Sequence, residues 1–485
     1  MYFLIGNINE LNNAQIIRFL IYIFIIFIAC LIFSILLSKF LKLNYVNIFL
    51  FLSSFIFVLF NYSLWDLNKF IYLAIIFLLF PIHAFIAYKK KYLIITLIAI
   101  FSMYLTTVVQ TLIQYNKTDI NIDDKSLTKF EMQLNKKKLI GLPNIYLIIL
   151  DAYSRHDVLN EIGFDNKYFM NYLEDKNFYV SYNSRSNYFS SEASFKTIYT
   201  MDLINDDDSY VKSKFFSKIV RGENPVIKYL REMGYTHVRM GANQSKDHDC
   251  SGVEDICLFK INEILGSSNG IGKIDIHILR MTPLYPLLIK LGFFSNYMHN
   301  SFYSKSTISN AHENWKKMEK SKKPYFFQIY VWQPHGPYIH DDKCNKKKII
   351  SNISSMDFYE ASQEYLDELK CVNSQLIKFI DDIDQQDKES VIILLSDHGH
   401  DLVDFTEKSI HEYSQKDIND RFANFFSIRI KNSCKKLFYN DISPVNIFRI
   451  VLGCLNETKV NLLDDKSYIH NIKNFNGFEE IILNY

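Results

Sequence analysis

The chain has 485 residues, about three units at roughly 150 residues per domain. Apolar residues make up 49% and charged residues 22%, with only 15 Gly and 9 Pro, which excludes disordered, collagen-like and Gly/Pro-rich chains. The 54 Lys and Arg against 52 Asp and Glu leave a net charge of +2, too small for a broad nucleic-acid-binding face, so no nucleic acid partner is expected. The 40 Phe and 32 Tyr suit a membrane protein or a large aromatic core.

The first 115 residues differ from the rest. Residues 16–38, 45–64, 70–88 and 92–114 are apolar runs that approach the ~20 residues a helix needs to cross a bilayer. Four such runs exceed what one cleaved signal peptide explains, and the N-terminus has no basic lead. They predict a four-helix transmembrane anchor over 1–114, in contact with the lipid bilayer. Lys39 and Lys42 follow the first run and Lys89, Lys90 and Lys91 the third, whereas the second loop has only Lys69 and residues 1–14 have none. The positive-inside bias therefore places the first and third loops in the cytoplasm and everything after 115 outside.

Seven cysteines are distributed accordingly. Cys30 falls inside a predicted span; Cys250, Cys257, Cys344, Cys371, Cys434 and Cys454 lie in the soluble part. An even number there suits disulfides in an oxidising compartment. Sequence-local pairing gives 250–257, 344–371 and 434–454, one of 15 connectivities, and ordinary buried thiols are the other reading. No C-x-x-C pair points to a zinc-thiolate site.

Residues 115–142 form a polar linker. NIYLIILDAYSR (144–155) then reads as a strand buried on both faces and ending at Asp151. A helix containing YFMNYLEDKNF follows. NPVIKYLREMGY (224–235) predicts a helix and THVRMGA (236–242) a strand. AHENWKKMEK predicts a helix leading into the strand PYFFQIYVWQPH (324–335). EYLDELKCVNSQLIKFIDDI (364–383) has helical 3–4 spacing and feeds the strand SVIILLSDHGH (390–400). This alternation predicts an α/β domain with a mostly parallel sheet and helices on both faces. Residues 243–310 carry no assignable motif and are expected to form a substrate-facing lid. Residues 431–485 read as a less regular C-terminal extension.

Ligands in such sheets bind at strand carboxyl ends. Three strands end in polar clusters: Asp151, then Pro334-His335-Gly336-Pro337-Tyr338, then Ser396-Asp397-His398-Gly399-His400. Asp151, Asp397 and His398 offer carboxylate and imidazole ligands suited to one divalent zinc, manganese or magnesium ion, with Gly399 letting the backbone bend. A nucleophile is expected in SRSNYFSSEASFKTIYTM (184–201), where Ser191 or Ser190 sits at a helix start aided by its dipole, or else serves only as an N-cap. His335 is a candidate proton donor or oxyanion contact. His400 and His411 have either a site role or a structural one. Arg155 and Arg185 are candidate anion clamps or salt-bridge partners, and Asn187 either holds substrate oxygens or caps a turn.

This order of motifs resembles the sulfatase-like branch of the alkaline phosphatase superfamily over roughly 143–430. With a multi-span anchor, the chain looks like the lipoteichoic acid synthases and the phosphoglycerol and phosphoethanolamine transferases. Ser191-Glu192-Ala193-Ser194 matches the family's T-x-x-S as S-x-x-S, and Ser186-Asn187-Tyr188 matches its S-N-Y lead. The resemblance implies Ser191 as nucleophile and fourth metal ligand, with Asp151, Asp397 and His398 as the other ligands. It makes His335 a catalytic, substrate-contacting group, and His400, Asn187, Arg155 and Arg185 are carried as substrate-binding candidates. It also implies a phospholipid head-group donor, a cell-surface glycan acceptor, and a bacterial inner or cytoplasmic membrane protein whose catalytic domain is extracytoplasmic (periplasmic). The formylglycine motif C/S-x-P-x-R of true sulfatases is absent. A phosphoester or sulfuric ester hydrolase and an inert membrane-anchored binding protein are the alternatives.

Overall fold

The computed structural model describes residues 24–25, 28–29, 31–40, 48, 128–135, 141–204, 219–240, 253–258, 307–318, 324–336, 338–347, 356–403, 405, 412–471 and 476–483. They belong to two units, Met1–Asn121 with Gly266–Met298, and Ile122–Leu265 with His299–Tyr485. In the first unit residues 31–40 are helical, with Ile32, Phe33 and Leu36 exposed. Among the described residues no helix is long and apolar enough to cross a membrane. Most of the four expected spans lies outside those residues, as do Cys30, Cys250, His411 and most of 243–310.

The second unit is built in the order β1 (Ile145–Leu150), α1 (His156–Glu161), α2 (Lys167–Asp175), β2 (Tyr179–Ser181), α3 (Ser191–Thr200), α4 (Pro225–Glu232), β3 (Thr236–Met240), β4 (Ile256–Cys257), α5 (Thr307–Lys317), β5 (Tyr325–Val331), α6 (Phe358–Gln386), β6 (Val391–Ser396), α7 (Gln415–Phe422), β7 (Phe426–Arg429), α8 (Asn432–Lys435), α9 (Pro444–Leu455), β8 (Ser467–Asn471) and β9 (Asn476–Ile481). Among the described residues the main sheet has strand order β2-β7-β6-β1-β5-β3-β4. β1 pairs in parallel with β5 and β6, and β3 with β4 and β5. β7 runs antiparallel to β6 and β2. The expected mostly parallel α/β sheet is therefore present.

Side-chain alternation along the central strands divides the core into two layers. Ile145, Leu147 and Ile149 of β1 face Phe195 and Ile198 of α3, Val226 and Leu230 of α4, and Phe448 and Val451 of α9. Tyr146, Ile148 and Leu150 face the other way, toward Phe169 of α2, Trp315 of α5 and Leu369 and Phe379 of α6. A strand covered on both faces needs apolar residues at every position, which is why β1 reads IYLIIL and β6 reads VIILLS. Each such side chain contributes about 1.5–3 kcal/mol on burial.

Helix ends follow local chemistry. Asn224 caps α4 by accepting the Ile227 N–H at 2.9 Å, with Pro225 in the first turn. Asp357 caps the 29-residue α6 through the Glu360 N–H. The strand expected over 324–335 stops at Val331 and that over 390–400 at Ser396, so both histidine clusters lie on loops just past the sheet. Residues beyond 430 join the same core: α9 buries Val445, Ile447, Phe448, Val451 and Leu452. Disulfides Cys344–Cys371 and Cys434–Cys454 form as the local pairing predicts, and Cys257 is also disulfide-bonded.

Gly399 lies in the bend that follows β6, as expected, and close approach requires it as well: a Cβ there would lie 2.0 Å from the Asp420 carbonyl oxygen, while its N–H donates to the Arg421 carbonyl at 2.7 Å. Since the obstacle is helix backbone, Gly399→Ala is expected to destabilise the fold by about 3 kcal/mol, seen as a lowered urea midpoint. A midpoint within error of wild type would show that α7 can move away.

Candidate active site

The sheet places Asp151 and Asp397 side by side. Leu150 of β1 is in register with Ser396 of β6, so the next residue of each strand carries a carboxylate at the same level. Ala152 follows at φ 60°, a left-handed conformation rare for a residue with a side chain. Its N–H, at 3.2 Å, and that of His398, at 3.0 Å, donate to Asp397 Oδ1. Tyr330 of β5 donates its hydroxyl to Asp151 Oδ2. These bonds leave Asp151 Oδ1 and Asp397 Oδ2 buried and, among the described residues, without a hydrogen-bond partner.

His398 closes the cluster. Its Nδ1–H donates to the Gly399 carbonyl at 2.8 Å, so Nε2 carries the lone pair. Nε2 lies 3.3 Å from Asp397 Oδ2, 3.7 Å from Asp151 Oδ1 and 3.1 Å from Ser191 Oγ. One ligand atom from each of Asp151, Asp397 and His398 falls within 4.8 Å of the others. Two acceptor-only oxygens and an imidazole lone pair facing one another in a buried place are a donor set short of a cation, and they fit one divalent ion. Burial, then the Asp397 charge, raises Asp151 to about 8, so without a cation a proton takes its place. Burial and the Arg421 charge lower His398 to about 4, keeping the ring neutral and able to ligate.

Ser191 is the first residue of α3 and shares its contact with His398 Nε2, whereas Ser190, at the cap position, bonds instead to His470 Nε2 at 2.8 Å. Ser194, the second serine of S-x-x-S, donates back to the Tyr188 carbonyl at 3.0 Å and fixes the approach to the helix.

His335 lies on the loop after β5. Its Nδ1–H donates to the Gly336 carbonyl at 2.6 Å and its Nε2 meets Asp401 Oδ2 at 3.0 Å. Burial opposes its charge, but Asp151 and Asp401 outweigh that and raise it to about 9. Burial likewise works against the charge of Asp401, and the Arg421 guanidinium with His335 overrides it, holding this carboxyl well below the usual carboxylate range. Arg421 also donates from Nε to the Phe189 carbonyl at 2.8 Å and brings Nη2 within 3.3 Å of His398 Nε2.

The other candidates stand elsewhere. Asn187 spends its amide on the fold: Oδ1 accepts the Val445 N–H at the start of α9, and Nδ2 donates to Ser443 Oγ and the Lys466 carbonyl. Arg155 is buried, bidentate to Asp157 and donating to the Ser184 carbonyl. His400 packs its ring against Tyr365 and sets Nε2 3.8 Å from Asp420. Arg185 is half-buried with its Nε unbonded. Tyr330, Asp401 and Arg421 were not anticipated. Asp401 had a signal, adjacency to S-D-H-G-H; Tyr330 reads as strand core and Arg421 as the polar face of a short helix.

A buried acidic pair and a histidine thus meet at the carboxyl ends of a mostly parallel sheet, and the sulfatase-like class to which the chain belongs is shown by its family match. The chain belongs to the sulfatase family, whose model matches residues 143–456 and so includes α9. No curated protein matches it. Among solved structures it is similar to the integral membrane lipooligosaccharide phosphoethanolamine transferase A from Neisseria meningitidis (13% identity, 80% of this chain and 70% of that chain, TM-score 0.44). It is also similar to the C-terminal periplasmic domain of a phosphoethanolamine transferase from Campylobacter jejuni (15%, 66% and 91%, 0.41) and to a lipoteichoic acid synthase from Listeria monocytogenes (11%, 72% and 83%, 0.40).

In chelator-stripped protein the His335 ring should titrate near pH 9 by NMR, and Asp401→Asn should bring it down toward the ordinary 6.5. The folded value is the raised one, so stability from charged His335 is full below pH 6.5 and fades as pH rises through about 9. An unmoved titration in Asp401→Asn would mean that Asp401 does not hold this proton.

Proposed function

We propose that the protein is a metal-dependent phosphotransferase that moves a phosphoglycerol or phosphoethanolamine head group from a membrane phospholipid to a cell-surface glycan through a covalent ester on Ser191. The observation that carries this reading is the Ser191 hydroxyl at the start of α3, 3.1 Å from the lone-pair nitrogen of His398, beside two buried carboxylate oxygens without partners. Asp151, Asp397, His398 and Ser191 would hold one zinc, manganese or magnesium ion. A divalent ion there acidifies the serine hydroxyl and offsets charge on the phosphoryl oxygens.

The chain's own groups divide the remaining work. Ser191 Oγ, its proton lost to solvent beforehand, forms a bond to phosphorus as the bond from phosphorus to the diacylglycerol oxygen breaks. His335, kept protonated by Asp401, supplies the proton that the leaving alkoxide takes. A glycan hydroxyl then attacks the phosphoserine, its proton returns to His335, and Ser191 is freed. Tyr330 holds Asp151 so that its other oxygen faces the cluster. Membership of the sulfatase family supports ester chemistry of this kind, and the missing C/S-x-P-x-R run favours serine over formylglycine as the nucleophile. The apolar runs of 1–114 support anchoring in a bacterial inner or cytoplasmic membrane, with the domain after 143 on the outer side near lipid head groups.

Full-length protein given phospholipid with a labelled head group should gain the head-group mass on Ser191, seen by mass spectrometry, and pass it on when glycan is added. Ser191→Ala should keep its metal and lose turnover by roughly a thousandfold or more. Asp397→Asn should lose both metal and turnover. Head-group release at the same rate with and without glycan would make the protein a hydrolase, and full turnover in Ser191→Ala would remove Ser191 from the chemistry.

A further inference from the structure

The family match ends at 456, yet the chain continues into a hairpin, β8 with β9, that lies against the approach to the nucleophile. Residues 466–470 run beside residues 186–190. Asn187 Nδ2 donates to the Lys466 carbonyl at 2.8 Å, Ser467 Oγ to the Ser186 carbonyl at 2.8 Å, and the Tyr468 N–H to the Asn187 carbonyl at 2.8 Å. Tyr188 and Tyr468 form a parallel bridge and stack at 5.7 Å. The last contact of the series is Ser190 Oγ with His470 Nε2 at 2.8 Å. The His470 ring is packed between Phe189 at 4.8 Å and Phe478 at 4.9 Å and is only 4% exposed, so its orientation is fixed.

Ser190 stands at the cap position of α3, where a serine ordinarily accepts an N–H of the first turn. Here it makes no capping bond, and its hydroxyl is held by His470. We propose that His470 is a positioning residue: by holding Ser190 it fixes the residue next to Ser191 and presents the Ser191 hydroxyl alone to His398. The hairpin is thereby part of the catalytic apparatus and not a peripheral extension. This rests on Ser191 being the nucleophile. A misplacement of the attacking oxygen by a fraction of an ångström lowers the chemical step without altering lipid binding.

The test is steady-state head-group transfer by the full-length protein carrying His470→Phe, which keeps the ring packing, Ser190→Ala, both together, or His470→Gln, which restores a hydrogen-bonding group. Either single change should lower kcat about tenfold, the worth of one well-made hydrogen bond. KM and metal content should stay within twofold of wild type. The double variant should be no slower than Ser190→Ala alone, and His470→Gln should recover to within about threefold of wild type. Wild-type kcat in His470→Phe or in Ser190→Ala, or losses that multiply in the double variant, would overturn the assignment while leaving a wild-type ester on Ser191 intact. A wild type that forms no ester on Ser191 would sink the phosphotransfer reading and this assignment together.

Discussion

Asp151 and Asp397 are forced together by the register of two central strands, and the consequences of that proximity run through the whole site. β1 and β6 are covered on both faces, so neither can slide or tilt to separate the carboxylates. Two like charges in a buried place repel and are poorly solvated, which is why Asp151 is pushed up to about 8. The fold tolerates this because Asp151 can take up a proton, which removes the repulsion at the cost of one charge. The bonds from Tyr330, Ala152 and His398 then decide which oxygens turn inward and which are spent on protein.

The positive charges nearby are sorted by geometry. Arg421 faces Asp401 and Asp401 faces His335, and the Asp151 charge together with Asp401 keeps His335 protonated. On the other side of the same guanidinium, His398 stays neutral. Two imidazoles thus stand in opposite states, His335 charged by its carboxylate neighbours and His398 kept neutral by burial and the Arg421 charge. The loop that carries His335 is tied at its far end: the Ile339 and His340 N–H groups donate to the buried Glu368 of α6, and Cys344 is bonded to Cys371 of the same helix. Its position therefore follows from the core as much as from its own turn.

Much of this was legible in the sequence because buried parallel strands announce themselves. IYLIIL and VIILLS leave no doubt about the strands, and the acids that follow them stand where such sheets place ligands. S-D-H-G reads as a ligand pair for the same reason, whereas S-x-x-S points to a nucleophile through its helix start and its resemblance to the family's T-x-x-S. What was not legible depends on partners far away along the chain. Asn187 reads as either a substrate contact or a turn cap, and only the fold shows that what it caps is α9, more than 250 positions later. Gly399 reads as the residue that lets the backbone bend, and the carbonyl that also crowds it belongs to α7, out of reach of any local pattern. Tyr330 has the same sequence signal as any strand aromatic, and its hydroxyl acquires meaning only beside Asp151. Residues after 430 seemed irregular because α9 is apolar nearly all round, which hides helical periodicity.

The stretch 186–190 gathers these lessons in five residues. Ser186 gives its N–H to the Phe422 carbonyl and its own carbonyl to Ser467; Asn187 ties α9 and the hairpin; Tyr188 bonds Ile204 in both directions; Phe189 offers its carbonyl to Arg421; and Ser190 goes to His470. Every residue before Ser191 is thus committed to a different neighbour. The position of Ser191 is therefore set by what precedes it, so the conformational entropy lost in aligning its hydroxyl beside His398 is met during folding. That arrangement gives the S-N-Y lead a physical meaning independent of substrate: it anchors the start of α3, with the work shared among α7, α9 and the C-terminal hairpin.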